Sequence, residues 1–164
     1  NSVEKDYLVK ELNLKDMVQK AVRSNARIMI SNKIKISMNN LDQKIFSDEK
    51  WLLFILNQII SNAVKYKKED PQISFEARQS TNQIFLEIRD NGIGIAAKDL
   101  PRVTDKGYTG TTGRNYEKST GMGLYLCKKL CDKLQLSFKI ESKEEEYTIV
   151  TIGFPRSSMI FLNE

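Results

Sequence analysis

The sequence contains no histidine. That absence removes imidazole general acid–base catalysis, histidine metal ligands and Ser-His-Asp triads from anything these 164 residues do alone. Cysteine is scarce: Cys127 and Cys131 stand four apart in "LCKKLC" and are the only two. On a helix they share a face. A zinc site would lack ligands, so the pair reads as two small buried thiols in a reducing compartment. Proline is limited to three residues, and no Pro- or Gly-rich linker or internal repeat divides the chain. No apolar run approaches the roughly 18 residues that a bilayer span requires, and no signal peptide is visible. A soluble segment is expected, whether free or cut from a membrane protein.

What is present is 40% apolar and 29% charged, which suits one domain with its own core. The net charge of +5 permits a polyanionic partner. The basic residues are scattered among acidic ones ("KKED", "ESKEEE"), so no nucleic acid is expected as partner.

Residues 8 to 14 ("LVKELNL") alternate as a short strand. Leu14, Met17, Val18, Ala21, Val22 and Ile28 recur at helical spacing, predicting a helix over 15 to 31. "KIKISM" (33 to 38) alternates again. Ser47 or Asp48 would cap a long helix from about 49 to 67, with Pro71 beyond its end. "QISFEAR" (72 to 78) and "QIFLEIRD" (83 to 90) read as strands around "QSTN", with Ile84, Leu86 and Ile88 facing one way. A short helix around 96 to 103, a Gly/Thr/Ser/Lys-rich loop over 104 to 121, a helix in "GMGLYLCKKLCDKL" and a hairpin of "LSFKIES" and "YTIVTIGF" complete the chain. This order lacks regular βα alternation. It predicts an α/β two-layer sandwich, a mixed sheet of about five strands with about three helices on one face.

On the long helix, Leu52, Leu53, Leu56, Ile59, Ile60, Ala63 and Val64 fill one arc, which can cover a sheet. Gln58, Asn62, Lys65 and Tyr66 cluster on another, three and four apart. Taken alone, that face is an ordinary solvated one. The glycines change the reading: seven of the eight lie between 92 and 123. Glycine lets backbone amides approach a ligand, and a helix N-terminus attracts anions. "GMGLYL" sets Gly121 and Gly123 at such a start. "DNGIGI" puts Asp90 at a strand end before Gly92 and Gly94, a pattern suited to an amino group in a pocket floor, though also to an ordinary Asp-Asn-Gly turn. GxxxxGK[ST] is absent, and "DNGIGI" has no third glycine at the dinucleotide-binding spacing.

"SNAVKY", then "DNGIGI", then "STGMGLYL" stand in the order of the N, G1 and G2 boxes. Together they resemble the ATP-binding catalytic domain of bacterial sensor histidine kinases, on the Bergerat fold shared with gyrase, MutL and chaperone ATPases. The resemblance spans about residues 8 to 155 of a single domain, 1 to 164. With the lid run "KGYTGTTGR", it is most similar to intramembrane-sensing kinases that work beside antimicrobial-peptide ABC transporters. It implies ATP and Mg²⁺ as ligands. Asn62 would ligate the metal and, with Gln58, form the catalytic pair. Asp90 would accept from the adenine amino group, with Gly92 and Gly94 beside the base. Lys65 would lie near the phosphates and Tyr66 near the adenine ring. Lys106, Gly107, Thr120, Gly121, Met122, Gly123 and Leu124 complete the nucleotide contacts. Residues 104 to 120 would form a lid in which Lys106, Arg114 and Lys118 compete for the γ-phosphate.

Two departures stand out. Thr104 occupies a place where the family often has an aromatic residue, with Tyr108 a substitute in packing the lid. Gln58 stands where many histidine kinases have Asn and the hydrolysing relatives have Glu. A carboxamide is no strong general base, so transfer is favoured over hydrolysis. With no histidine here, the phosphoacceptor is expected in an upstream dimerisation domain. The implied whole is a membrane-anchored homodimer, its cytoplasmic catalytic domain working with a response regulator and beside an ABC transporter. The alternatives are a Bergerat-type ATPase and a non-catalytic nucleotide-binding module.

Overall fold

The computed structural model describes residues 7–106 and 123–156. Their order is β1 (Val9–Asn13), α1 (Leu14–Ser24), α2 (Ala26–Ser31), β2 (Lys35–Asn39), β3 (Lys44–Asp48), α3 (Glu49–Lys65), β4 (Gln72–Gln79), β5 (Gln83–Asp90), a 3₁₀ turn (Leu100–Arg102), α4 (Gly123–Lys133), β6 (Ser137–Lys143) and β7 (Tyr147–Pro155).

The main sheet runs β2-β4-β5-β7-β6. The β2–β4 pair is parallel and the others antiparallel, so the expected five-stranded mixed sheet is present. Its inward positions follow the period-two rule: Phe75 lies across from Ile88, Ile88 from Val150, and Leu86 from Ile152, all buried. Helices α1, α3 and α4 cover this face, with α3 packed between the other two. The inward arc of α3 is Leu52, Ile55, Leu56, Ile59, Ile60, Ala63 and Val64. Ile55 takes the fully buried place expected of Leu53, which is only half-buried. Each aliphatic side chain buried there contributes about 1.5–3 kcal/mol.

Four elements depart from the sequence reading. The helix expected over 15 to 31 breaks at Asn25, whose Nδ2 donates to the Ala21 carbonyl (2.8 Å) and to Asn57 Oδ1 on α3 (2.9 Å). The break re-aims the short helix α2, so Met29 is buried and Ile28 turns outward. Strand β3 is absent from the sequence reading, because its inward positions are Ile45 and the polar Ser47, which hides the alternation. It pairs with β1 in a separate two-stranded sheet. The helix expected over 96 to 103 is one 3₁₀ turn opened by Pro101. The long helix ends at Lys65 rather than 67.

Of the two candidate caps, Asp48 is the one used: its Oδ1 accepts from Trp51 N at 3.0 Å. Cys127 and Cys131 are buried free thiols facing the core from α4. Burial pushes Cys127 up to about 12 and raises Cys131 as well, so both are inert packing groups.

Candidate functional site

Strand β5 carries Ile84, Leu86 and Ile88 inward, and Asp90 is the next residue on that face. A carboxylate thus continues a hydrophobic row at the point where the strand ends. Burial pushes its carboxyl up to about 6, against the Gly92 N–H hydrogen bond and the Arg89 charge, which both act downward. Asp90 Oδ1 accepts from Gly92 N at 2.9 Å. Among the described residues, its other oxygen has no hydrogen-bond donor.

The turn after Asp90 is held from two sides. The Tyr66 carbonyl, at the C-cap of α3, accepts from Ile93 N at 3.0 Å. A Cβ at Gly92 would lie 2.5 Å from that same carbonyl, so only glycine fits against the end of α3. From the other side, Glu145 N donates to the Ile93 carbonyl and Ile95 N donates to Ser142 Oγ at 2.8 Å. Gly94 has a φ of +70°, and a Cβ there would run into the Lys143 carbonyl. Lys68 Nζ caps the arrangement on the Glu145 carbonyl. The turn therefore locks the C-terminal end of α3 to the β6–β7 hairpin, with Asp90 at the junction.

That lock sets the polar face of α3 beside Asp90. Gln58 and Asn62 are half-buried one turn apart, and neither side chain hydrogen-bonds to another described residue. Lys65 is half-buried too, its ammonium 5.5 Å from the centre of the Tyr66 ring. Gly123, the first residue of α4, backs onto the same face: a Cβ there would meet Gln58 Oε1 at 2.9 Å. Leu124 follows, half-buried in the first turn of α4, while Lys106 is exposed. Gly107, Thr120, Gly121 and Met122 lie outside the described residues, as do Tyr108, Arg114 and Lys118. The structure thus brings Gln58, Asn62, Lys65, Tyr66, Asp90, Gly92, Gly94 and Gly123 into one continuous region.

One neighbour is invisible to sequence reasoning. Register places Thr148 of β7 directly across from Asp90, with Ser142 Oγ 2.9 Å from its hydroxyl. Only the β5–β7 pairing, which joins positions far apart in the chain, reveals it.

The donor set also tests the expected metal. Among the described residues no cluster of acidic or sulfur ligands could hold an ion alone. Two side-chain amide oxygens on adjacent turns of α3, neither bonded to a described residue, suit Mg²⁺ only when the phosphates of a nucleotide supply most of its ligands, which is how Mg²⁺ commonly binds. The residues fit that group.

A half-buried acceptor at a strand end, a glycine turn clamped to a helix, and a helix start facing its polar side thus lie together. The chain belongs to the histidine kinase-, DNA gyrase B- and HSP90-like ATPase family, whose model matches residues 47–158. Family membership makes ATP the nucleotide. Among individual proteins, it is 35% identical over 153 residues to the sensor histidine kinase YxdK of Bacillus subtilis, covering 92% of this chain and 47% of that one. The sensor protein BceS of the same organism is 37% identical, with 93% and 46% covered. GraS of Staphylococcus aureus, a sensor protein kinase, is 33% identical, with 97% and 46% covered. The chain thus spans about half the length of these relatives. Among solved structures, the nucleotide-free catalytic domain of histidine kinase ThkA superposes with a TM-score of 0.77 at 17% identity, covering 91% of this chain and 98% of that domain. Full-length ShkA in complex with AMPPNP gives 0.75 at 18% identity, with 90% and 31% covered. These likenesses establish the fold.

Proposed function

We propose that the chain binds Mg-ATP and presents the γ-phosphate to a histidine carried on a separate dimerisation domain of a two-component sensor kinase. The observation that carries this reading is Asp90, a half-buried carboxylate with one oxygen that no described donor takes, set beside the polar face of α3 in a chain without histidine. In this reading Asp90 accepts a hydrogen bond from the adenine amino group, and Thr148, its cross-strand neighbour, lies within reach of the same ring. Gly92 and Gly94 keep the backbone of the turn low enough for the base to pass. The Tyr66 ring flanks the adenine, and Lys65 offers its charge to the phosphates. Gly123 and Leu124, the first residues of α4, offer N–H groups to the phosphates, and Lys106, Gly107, Thr120, Gly121 and Met122 are assigned nucleotide contacts by their places in the sequence motifs alone.

Asn62 and Gln58 would hold the Mg²⁺, which when bound neutralises charge shared between the β- and γ-phosphate oxygens. Phosphoryl transfer needs mainly positioning and charge neutralisation, and both are within reach of these side chains. A neutral Gln58 cannot take a proton from water as a carboxylate would, which favours transfer over hydrolysis.

The rest of the proposed assembly is inferred from the relatives being about twice as long. The domain would be the cytoplasmic part of a membrane-anchored homodimer. It would phosphorylate an upstream histidine that feeds a response regulator, with a peptide-exporting ABC transporter as associated partner. Among the described residues no helix is long and apolar enough to cross a membrane.

The test is reconstitution. The chain is mixed with radiolabelled ATP and a fragment of such a kinase that carries the acceptor histidine. The account expects acid-labile label on the fragment, abolished by Asn62→Ala, and none on this chain alone. Label on the isolated chain, or steady phosphate release without acceptor, would overturn it.

A further inference from the structure

The basic residues are not spread as evenly as the sequence suggests. Six of the 26 but only one of the 21 acidic residues lie between positions 14 and 35, so this stretch carries the whole net charge of +5 and the remainder is balanced. In the fold it forms α1, α2 and the start of β2, an edge strand of the main sheet. Lys20 is neutralised by Glu49 at 2.5 Å. Arg23, Arg27, Lys33 and Lys35 are exposed and make no ion pair among the described residues.

Among these cations sit two large aliphatic side chains turned to solvent. Ile28 is 47% and Ile30 75% exposed, two of the three exposed large hydrophobic residues among those described. Both lie away from Met29, the residue by which α2 is anchored in the core. The break at Asn25 produces this arrangement: an uninterrupted helical pattern would have turned Ile28 inward.

We propose that the segment from Arg23 to Lys35, which exposes Arg23, Arg27, Ile28, Ile30, Lys33 and Lys35 with the two isoleucines on either flank of α2, docks peripherally on an anionic phospholipid bilayer. Lipid phosphates complement the unpaired cations, and isoleucine side chains enter the headgroup–acyl boundary. Nucleic acid fits less well. Residues 14 to 35 contain no aromatic side chain to stack on a base. The carboxamides of Asn25 and Asn32 are already committed, each donating to a backbone carbonyl. The inference is independent of the nucleotide reading and fails or stands without it.

The experiment is cosedimentation of the 164-residue chain with phosphatidylcholine vesicles, with and without phosphatidylglycerol. Binding is expected to the anionic vesicles alone and to weaken as salt is raised. Arg27→Glu with Lys33→Glu should lower the partition coefficient by more than roughly thirtyfold, since two cations are lost and two like charges are added. Ile28→Ser with Ile30→Ser should lower it several-fold at unchanged charge. A charge-matched control, Lys44→Glu with Lys139→Glu, should change it less than twofold, and thermal melts verify that every variant is folded. Equal loss in the control pair overturns the proposal. So does indifference to the isoleucine substitutions, or binding to duplex DNA or an acidic polypeptide in place of vesicles.

Discussion

Asp48 and Asp90 are both carboxylates withdrawn from solvent, both close a strand, and both sit at an end of α3. They differ in what the fold does with their oxygens. Asp48, 4% exposed, uses both: Oδ1 caps α3 through Trp51 N, and Oδ2 accepts from Leu8 N at 2.6 Å. It ties the chain just before β1 to the helix start, and both of its oxygens are engaged. Asp90 commits one oxygen to Gly92 N, and no donor among the described residues takes the other. A half-buried carboxylate oxygen without a protein donor is left to water or to a ligand. The same side chain is structural at one end of the helix and poised for a ligand at the other, and hydrogen-bond accounting separates the two.

Substituting each residue sharpens that contrast. Asp90→Asn is expected to have the largest effect, weakening ATP binding by about tenfold to a hundredfold, as a charge-assisted bond of roughly 1.5–3 kcal/mol is lost. Nucleotide-free stability in denaturant should not fall in this variant, because a desolvated charge is removed.

The pH dependence comes from the same group. Its carboxyl is raised by burial to about 6 from an ordinary 3.8. Protonation therefore favours the folded state. The stability it contributes is fully present below pH 4, erodes above it, and is lost as pH rises through 6. The change is up to about 3 kcal/mol for the nucleotide-free protein. Urea titrations of wild type against Asp90→Asn between pH 4 and 7 should show this slope in the wild type only. ATP affinity should run the other way, rising as Asp90 ionises.

Asp48→Ala should lower stability by about 2 kcal/mol through the lost cap and the stranded Leu8 N–H, with ATP affinity unchanged at temperatures where the variant is folded. The smallest effect is expected for Gly123→Ala. The new Cβ meets only the movable end of Gln58, so stability should change by less than about 0.5 kcal/mol. A modest change in nucleotide affinity would report that the Gln58 carboxamide had been displaced.

Local pattern makes much of this legible in advance. Period-two runs locate β4, β5, β6 and β7, and the inward row of β5 points straight at Asp90. Glycine clustering locates the turn and the start of α4. The features that stay hidden are non-local or polar. The Asn25 side chain breaks a helix whose hydrophobic spacing continues through it. Ser47 masks β3 because a polar residue takes an inward place. Ile55 displaces Leu53 because α3 is covered on more than one side, by α1 and α4 as well as the sheet. Thr148 joins the site only through strand pairing, and Tyr66 contributes its backbone carbonyl as well as the ring its sequence advertises.

The proposed reading of the adenine amino group by the second oxygen of Asp90, which no described donor engages, underlies the whole assignment. Its most direct test is calorimetric titration of ATP and GTP into the wild-type protein and Asp90→Asn at neutral pH. Guanine presents a carbonyl oxygen where adenine presents an amine. Wild-type binding of ATP is therefore expected to be at least about tenfold tighter than that of GTP, with the preference largely lost in Asp90→Asn. Equal affinity for the two nucleotides in the wild type, or an ATP affinity unmoved by Asp90→Asn, would contradict it.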